Sequence, residues 1–160
     1  MDKNIMQATL HMAQLANKIG PAIAEEFGEG STGAYTHFGD RFNEQLLLMR
    51  VAAPAKDKIE KYKELAQEKA TRLHKHKLHY LSWQSMNKNL GHHQGAVRAG
   101  NPYIIFVSTS GFPSRIDQGF DLILLRKAKL MTPDAVASMS RTSGDYDITC
   151  RMWKFAEQIW

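Results

Sequence analysis

Two adjacent histidines, His92 and His93, stand in LGHHQGAV (residues 90–97), just before a strand-like run. Imidazoles there could ligate a metal or a haem iron, or they could simply hydrogen-bond within a glycine-bounded turn. In extended chain the two side chains diverge, so at most one can join a given site. His93, nearer the strand, is expected to face inward. A second pair, His76 and His79, is spaced i, i+3, close enough on a helix to share a ligand. Zinc asks for about four converging ligands, and this pair lacks the glutamate of the helical zinc-protease motif. His76 is therefore expected as a core histidine on the apolar stripe through Leu73 and Tyr80. The run Ser108-Thr109-Ser110-Gly111 offers hydroxyls but has neither the Gly-x-Ser-x-Gly frame of a nucleophile elbow nor a phosphate-binding loop. Backbone N–H groups at the start of the following helix could hold an anion. Asp117 or Asp121 could pair with a histidine for proton transfer. No complete catalytic constellation emerges from these residues.

Positioning these groups falls to a succession of helices and strands. Apolar residues recur at helical spacing from Ile5 through Met12 to Ile19, which predicts an amphipathic helix over 4–19, punctuated by Gly20-Pro21 and extended by a short run to Phe27. AYTHF and EQLLLMRV flank Gly39-Asp40 and predict a hairpin. Pro54 suits the first turn of one long helix over 55–81, which carries eight Lys/Arg against four Asp/Glu. Those charges occupy its non-apolar faces and include pairs such as Glu60/Lys63, the pattern of a solvated face. After a loop, two short strands are expected around Gly100-Asn101-Pro102. The second, Tyr103 to Ser108, is β-branched and apolar enough to be central. Pro113-Ser114 marks the next helix start, with Asp117 in an approximate capping pattern. Residues 132–147 read as polar and broken. A last helix over 148–160 carries Met152, Trp153, Phe155, Ile159 and Trp160, too many large apolar groups for a solvated end. That tail is expected to cover apolar surface on its own or a neighbouring protomer.

A chain of 160 residues, 43% hydrophobic and 23% charged, fits one ordinary globular domain. Its single cysteine, Cys150, excludes an internal disulfide. No window approaches the roughly 18 apolar residues of a membrane span, and polar residues interrupt the first segment too often for a signal peptide. A soluble cytoplasmic protein is expected. The net charge of +5 favours anionic partners in principle. Most of it lies on the 55–81 helix as a solvated face, so nucleic acid is not the expected partner.

The order helix, hairpin, long helix, loop, strand pair, helix resembles the haem-degrading-domain family typified by GlcG- and HbpS-type proteins. ELAQEKATRL (64–73) is similar to the family's helix with a Lys-Ala pair, and GHHQGAV (91–97) to its glycine-rich turn before a strand. PYIIFVSTSGFPSRIDQGFDLI (102–123) is similar to its strand ending in a Ser-Gly turn, followed by an acidic residue and a helix. Gln94 replaces a family glycine, Phe112-Pro113 replaces small residues, and the last 30 residues have no counterpart. The resemblance implies an α+β fold, an antiparallel sheet flanked by helices, with a domain over 1–131 and a C-terminal helical extension over 132–160. It also implies a homo-oligomer and, in some members, binding of haem or a related tetrapyrrole. The pocket would then lie between the 55–81 helix and the 91–111 strands. His93 and His76 would supply imidazoles, Lys69 and Arg72 the charge for propionates, and Gly95, Ser108 and Ser110 the strand side. The reading is a small oligomeric ligand-binding protein. Its rivals are a non-catalytic assembly or adaptor protein and a nucleic-acid binder using the basic helix.

Overall fold

The computed structural model describes residues 3–42, 44–100 and 104–160. Its helices are α1 (Lys3–Phe27), α2 (Ile59–Lys75), α3 (Ser114–Lys127), α4 (Pro133–Thr142) and α5 (Tyr146–Ala156). Four strands, β1 (Gly33–Gly39), β2 (Gln45–Ala52), β3 (Ala96–Ala99) and β4 (Ile105–Ser110), form one antiparallel sheet in the order β2-β1-β4-β3. Alternation sends their side chains to two faces. Ala34, Phe38, Val51, Val97, Ile105 and Val107 join the cores made with α1 and α3, while Ala96 and Phe106 meet Ala70 and Leu73 of α2. Three layers result, with α2 on one side of the sheet. This is the single-domain α+β architecture that the sequence leads one to expect.

Three elements depart from the local reading. The first helix runs unbroken through Gly20-Pro21, because Gly20 lies against β2, where an added Cβ would come within 2.3 Å of Val51 Cγ1. Ile23 and Phe27 carry the buried stripe past the proline, so tertiary packing outweighs local punctuation. A short 3-10 turn (Lys56–Lys58) precedes α2, which stops at Lys75 instead of continuing to residue 81. His76 leaves helical backbone at φ −93°, ψ 81°, and the Arg98 guanidinium donates to the carbonyls of His76 and Lys77 at 3.1 and 2.8 Å. Beyond it the chain runs beside β3. The Arg98 N–H donates to the Tyr80 carbonyl at 2.8 Å, and Leu81 pairs with Val97. An edge strand needs partners for its outward backbone groups, and this segment supplies them only by leaving the helix.

The third departure is the tail. Residues expected to be broken coil form α4. Thr132 caps it by accepting the Ala135 N–H at 3.2 Å, Pro133 sits in its first turn, and the buried Ser140 returns its hydroxyl to the Val136 carbonyl at 2.8 Å. The next helix begins at Tyr146. Its Met152 and Ala156 enter the core beneath α1 and α3, and Trp153, Phe155, Ile159 and Trp160 pack against that core, so the tail covers its own protomer. Gln94 Nε2 donates to Asp145 Oδ2 at 2.9 Å and Gln118 Nε2 to Ser143 Oγ at 2.6 Å. Gln94 thus ties the turn before α5 to the start of β3. Asn43 of the expected hairpin turn, and Asn101, Pro102 and Tyr103 of the expected strand connection, lie outside the described residues. None of the described helices is long and apolar enough to cross a membrane.

Candidate functional site

Lys69 leaves the sheet-facing side of α2 among the buried Ala66, Ala70 and Leu73, and is itself only 1% exposed. Its ammonium donates to the Thr109 carbonyl at 2.9 Å and to Asp117 Oδ2 at 3.0 Å. The passage from one layer to the other runs by Gly95. There φ is +117°, and a Cβ would stand 2.7 Å from Asp117 Cβ and 2.8 Å from Lys69 Nζ, so glycine alone leaves the way open. Asp117 Oδ1 accepts the Phe112 N–H at 3.0 Å. An anion is indeed held at the start of α3, but it is the chain's own carboxylate. Its partner is a lysine, not one of the histidines. Asp121, one turn on, accepts the Thr109 N–H at 3.1 Å and pairs with Thr109 Oγ1 at 2.5 Å, which meets Thr36 Oγ1 at 2.8 Å.

Burial pushes the Asp117 carboxyl up to about 7, against the pull of Lys69. Burial also holds Asp121 well above the usual carboxylate range, opposed by its Thr109 hydrogen bond and reinforced by the Asp117 charge. With Lys69 charged, a proton on Asp121 leaves the cluster neutral, the least costly state for groups shut away from water. Chemically this assembly ties α2, the sheet and α3 together. Four residues expected to face a ligand belong to it or pack beside it. Lys69 and Gly95 form the passage, Ser108 is fully buried with its hydroxyl donating to the Gly95 carbonyl at 3.2 Å, and Ser110 is buried at the end of β4.

Arg72 is buried as well and spends its guanidinium on the irregular segment after α2. It donates to Glu68 Oε1 at 2.8 Å, to the carbonyls of Ser82 and Ser85 at 2.9 Å each, to Ser85 Oγ at 2.8 Å and to the His93 carbonyl at 2.5 Å. It clamps residues 82–93; it is not a spare cation for a propionate. The His93 side chain is half-buried, and burial, then the charges of Lys69 and Arg72, lowers its pKa and favours the neutral ring. His76 is exposed, not in the core, because the helix ends before it; its ring stacks on His79 at 4.8 Å between centroids. It shares an open groove of about 540 Å³ beside α2 with His92, and His93 is not among the lining residues. His92 Nε2 stands 3.9 Å from Glu68 Oε1. Every residue lining that groove is polar or charged. A tetrapyrrole needs apolar walls, so these residues do not fit haem within one protomer. Among the described residues there is also no cluster of three or more His, Cys, Asp or Glu able to hold a metal ion.

A different arrangement occurs where α3 ends. Arg126 and Lys127 close that helix, Lys129 follows at φ +60°, and Arg98 of β3 lies alongside. They rim an open groove of about 930 Å³ whose apolar wall comes from Leu130, Met131, Ala135 and Met139. Among the described residues that line it there are four cations and no carboxylate, Asp134 lining the neighbouring cleft instead. Two of the cations rest on aromatic residues of the same groove: Arg98 Cζ is 5.4 Å from the Tyr80 ring centroid and Arg126 Cζ 3.6 Å from that of Trp153. Stacking of this kind holds a guanidinium in place without neutralising it. Sequence reasoning missed this site. Its signal was RKAK at 126–129, which reads as the ordinary basic last turn of a helix. No protein-family model matches the chain, and neither a curated protein nor a solved structure matches it.

Proposed function

We propose that this chain is a small-molecule-binding protein whose ligand is an amphipathic anion, seated in the groove between the end of α3, α4 and β3. The carrying observation is an apolar wall rimmed by four cations, with no carboxylate among the described lining residues. The volume, about 930 Å³, suits a small-molecule ligand. An apolar body would cover the half-buried Ala135 and Met139 and rest on the edges of the buried Leu130 and Met131. Lys127 and Lys129 would pair with a carboxylate, sulfonate or phosphate at the rim, and Arg98 and Arg126 would extend a flat cationic wall beside it. Tetrapyrrole dicarboxylates belong to this class through their propionates; iron ligation has no part in the reading.

Titration with iron-free protoporphyrin IX, followed by quenching of tryptophan fluorescence, tests it. Saturable binding is expected, weaker by about tenfold or more for the dimethyl ester, which keeps the ring and loses the charges. Equal affinity for acid and ester, or no saturable binding of either, overturns the reading. Homo-oligomerisation belongs to the proposal on a separate ground. The tail covers its own protomer, but Leu78, Met86 and Leu90 are 88%, 37% and 67% exposed, the kind of surface that assembly covers. Light scattering is expected to give a multiple of 18.1 kDa, and a monomeric mass removes that part.

A further inference from the structure

The groove has a side branch. Only the three residues from Ser143 to Asp145 join α4 to α5, so the two helices run antiparallel, and a cleft of about 580 Å³ lies along the pair. Arg126, Pro133 and Trp153 line groove and cleft alike and form the mouth between them. At the far end, where α4 turns back into α5, stand Arg141 and Tyr146. From Pro133 to Arg141 the backbone of α4 rises about 12 Å. Charge is spread unevenly along this length. Near the mouth Asp134 follows Pro133 and Lys154 follows Trp153, so the one carboxylate among the described lining residues has a cation at its own level. The far end holds Arg141 alone. It forms no ion pair among the described residues, and its Cζ lies 4.3 Å from the Tyr146 ring centroid. Like Arg98 and Arg126 of the groove, it is held in place by an aromatic face and left charged. The half-buried Ala137 and Trp153 give the branch an apolar wall between its mouth and that cation.

We propose that the ligand of this protein is an elongated dianion of the long-chain dicarboxylate type, which occupies groove and cleft together. One anionic group pairs with Lys127 and Lys129 at the groove rim. The apolar chain passes between Pro133 and Trp153, and the second anionic group ends on Arg141, whose guanidinium offers a carboxylate two parallel N–H donors. The inference rests on the reading of the groove as an anion site and adds the second charge and the length. A ligand with one charged end would leave Arg141 without a counter-charge. A tetrapyrrole, with both propionates on one edge of the ring, fills the groove and leaves the branch empty.

Calorimetric titration of the full chain with hexadecanedioic and hexadecanoic acids, both below their micellar range, tests it. The two share a chain and differ in the second carboxylate. That group weakens binding wherever it is buried without a cation, so the order of the two affinities is informative. The diacid is expected to bind tighter by about tenfold or more, and diacids too short to span the branch are expected to lose the advantage. Arg141→Glu is expected to reverse the order while the monoacid and protoporphyrin IX bind as they do to the unaltered chain. Binding of the monoacid with no diacid of any length tighter, or an equal loss of both acids in Arg141→Glu, overturns the proposal and leaves the groove reading standing. No binding of either acid or of the porphyrin overturns both. Arg141 is exposed, and circular dichroism checks that the variant folds. If it does not, Arg141→Gln takes its place with the diacid expected to lose its advantage, and retention of that advantage overturns the proposal.

Discussion

Lys69 lies almost wholly buried against Asp117 and the Thr109 carbonyl, whereas Lys127 and Lys129 stand at the rim of an open groove with no carboxylate in its described lining. Both sets were present in the sequence as lysines on or just after a helix. What separates them is who supplies the counter-charge. At Lys69 the chain provides it, since Ala66 and Ala70 let α2 approach the sheet and Gly95 leaves a passage to the start of α3. At the groove the chain provides an apolar wall and aromatic faces instead, so the charge stays available to a molecule from outside. A cluster of charges closed on itself is architecture; one left open over apolar surface is a binding surface.

The largest effects are expected from opening the closed side. Lys69→Ala leaves the buried Asp117 carboxylate without its cation and should cost about 3–5 kcal/mol in urea unfolding at neutral pH. Gly95→Ala places a methyl group on the ion pair in a backbone conformation that alanine resists, and should cost a comparable amount. A loss below about 1 kcal/mol for both would mean that the pair is not what joins the layers.

Proton linkage sharpens the same contrast. Asp117, pushed up to about 7, and Asp121, raised well above the usual range, bind protons more tightly folded than unfolded. Their contribution is therefore complete below the ordinary carboxylate range near pH 3.8 and is lost as pH rises through about 7. Asp121→Asn, which mimics the protonated carboxyl, should keep the fold and flatten part of that slope. Denaturation midpoints measured across this window check it, and an unaltered chain that gains stability from these groups as pH rises would contradict the assignment.

A smaller effect is expected at Arg72. Arg72→Lys loses the fork that holds Ser82, Ser85 and His93, at about 2 kcal/mol, with faster amide exchange confined mainly to residues 82–93. Uniform exchange across the chain would show that the clamp is not local. Smallest of all is the stability change from the exposed Lys129→Glu, within about 0.5 kcal/mol, while Lys127→Glu, whose ammonium lies 4.7 Å from the Trp160 ring centroid, should cost about 1 kcal/mol.

How much of this was legible depends on the range of the interaction concerned. The hairpin follows from two strand-like runs about Gly39-Asp40, and the central position of β4 from its continuous apolar and β-branched run, features a strand displays along its own length. The end of α2 does not, because Leu73 and Tyr80 keep helical spacing while the unpaired edge of β3 draws residues 76–81 away. Lys69 likewise reads as one more cation of a basic helix. Only the small residues Ala66, Ala70 and Gly95, distant in sequence from Asp117, hint that it is enclosed. Thr132-Pro133 is a local helix start that the polar composition of 132–147 concealed. The groove needed Arg98 and the RKAK run brought together by the fold, a juxtaposition with no local trace.

The most direct test of this contrast is a side-by-side titration with protoporphyrin IX of the unaltered chain, the Lys127→Glu/Lys129→Glu double variant and the His92→Ala/His93→Ala double variant. The charge reversal is expected to weaken binding by about tenfold per lysine while the histidine variant binds as the unaltered chain does. Binding abolished by the histidine changes and untouched by the charge reversal would contradict the account and place the ligand at the turn before β3.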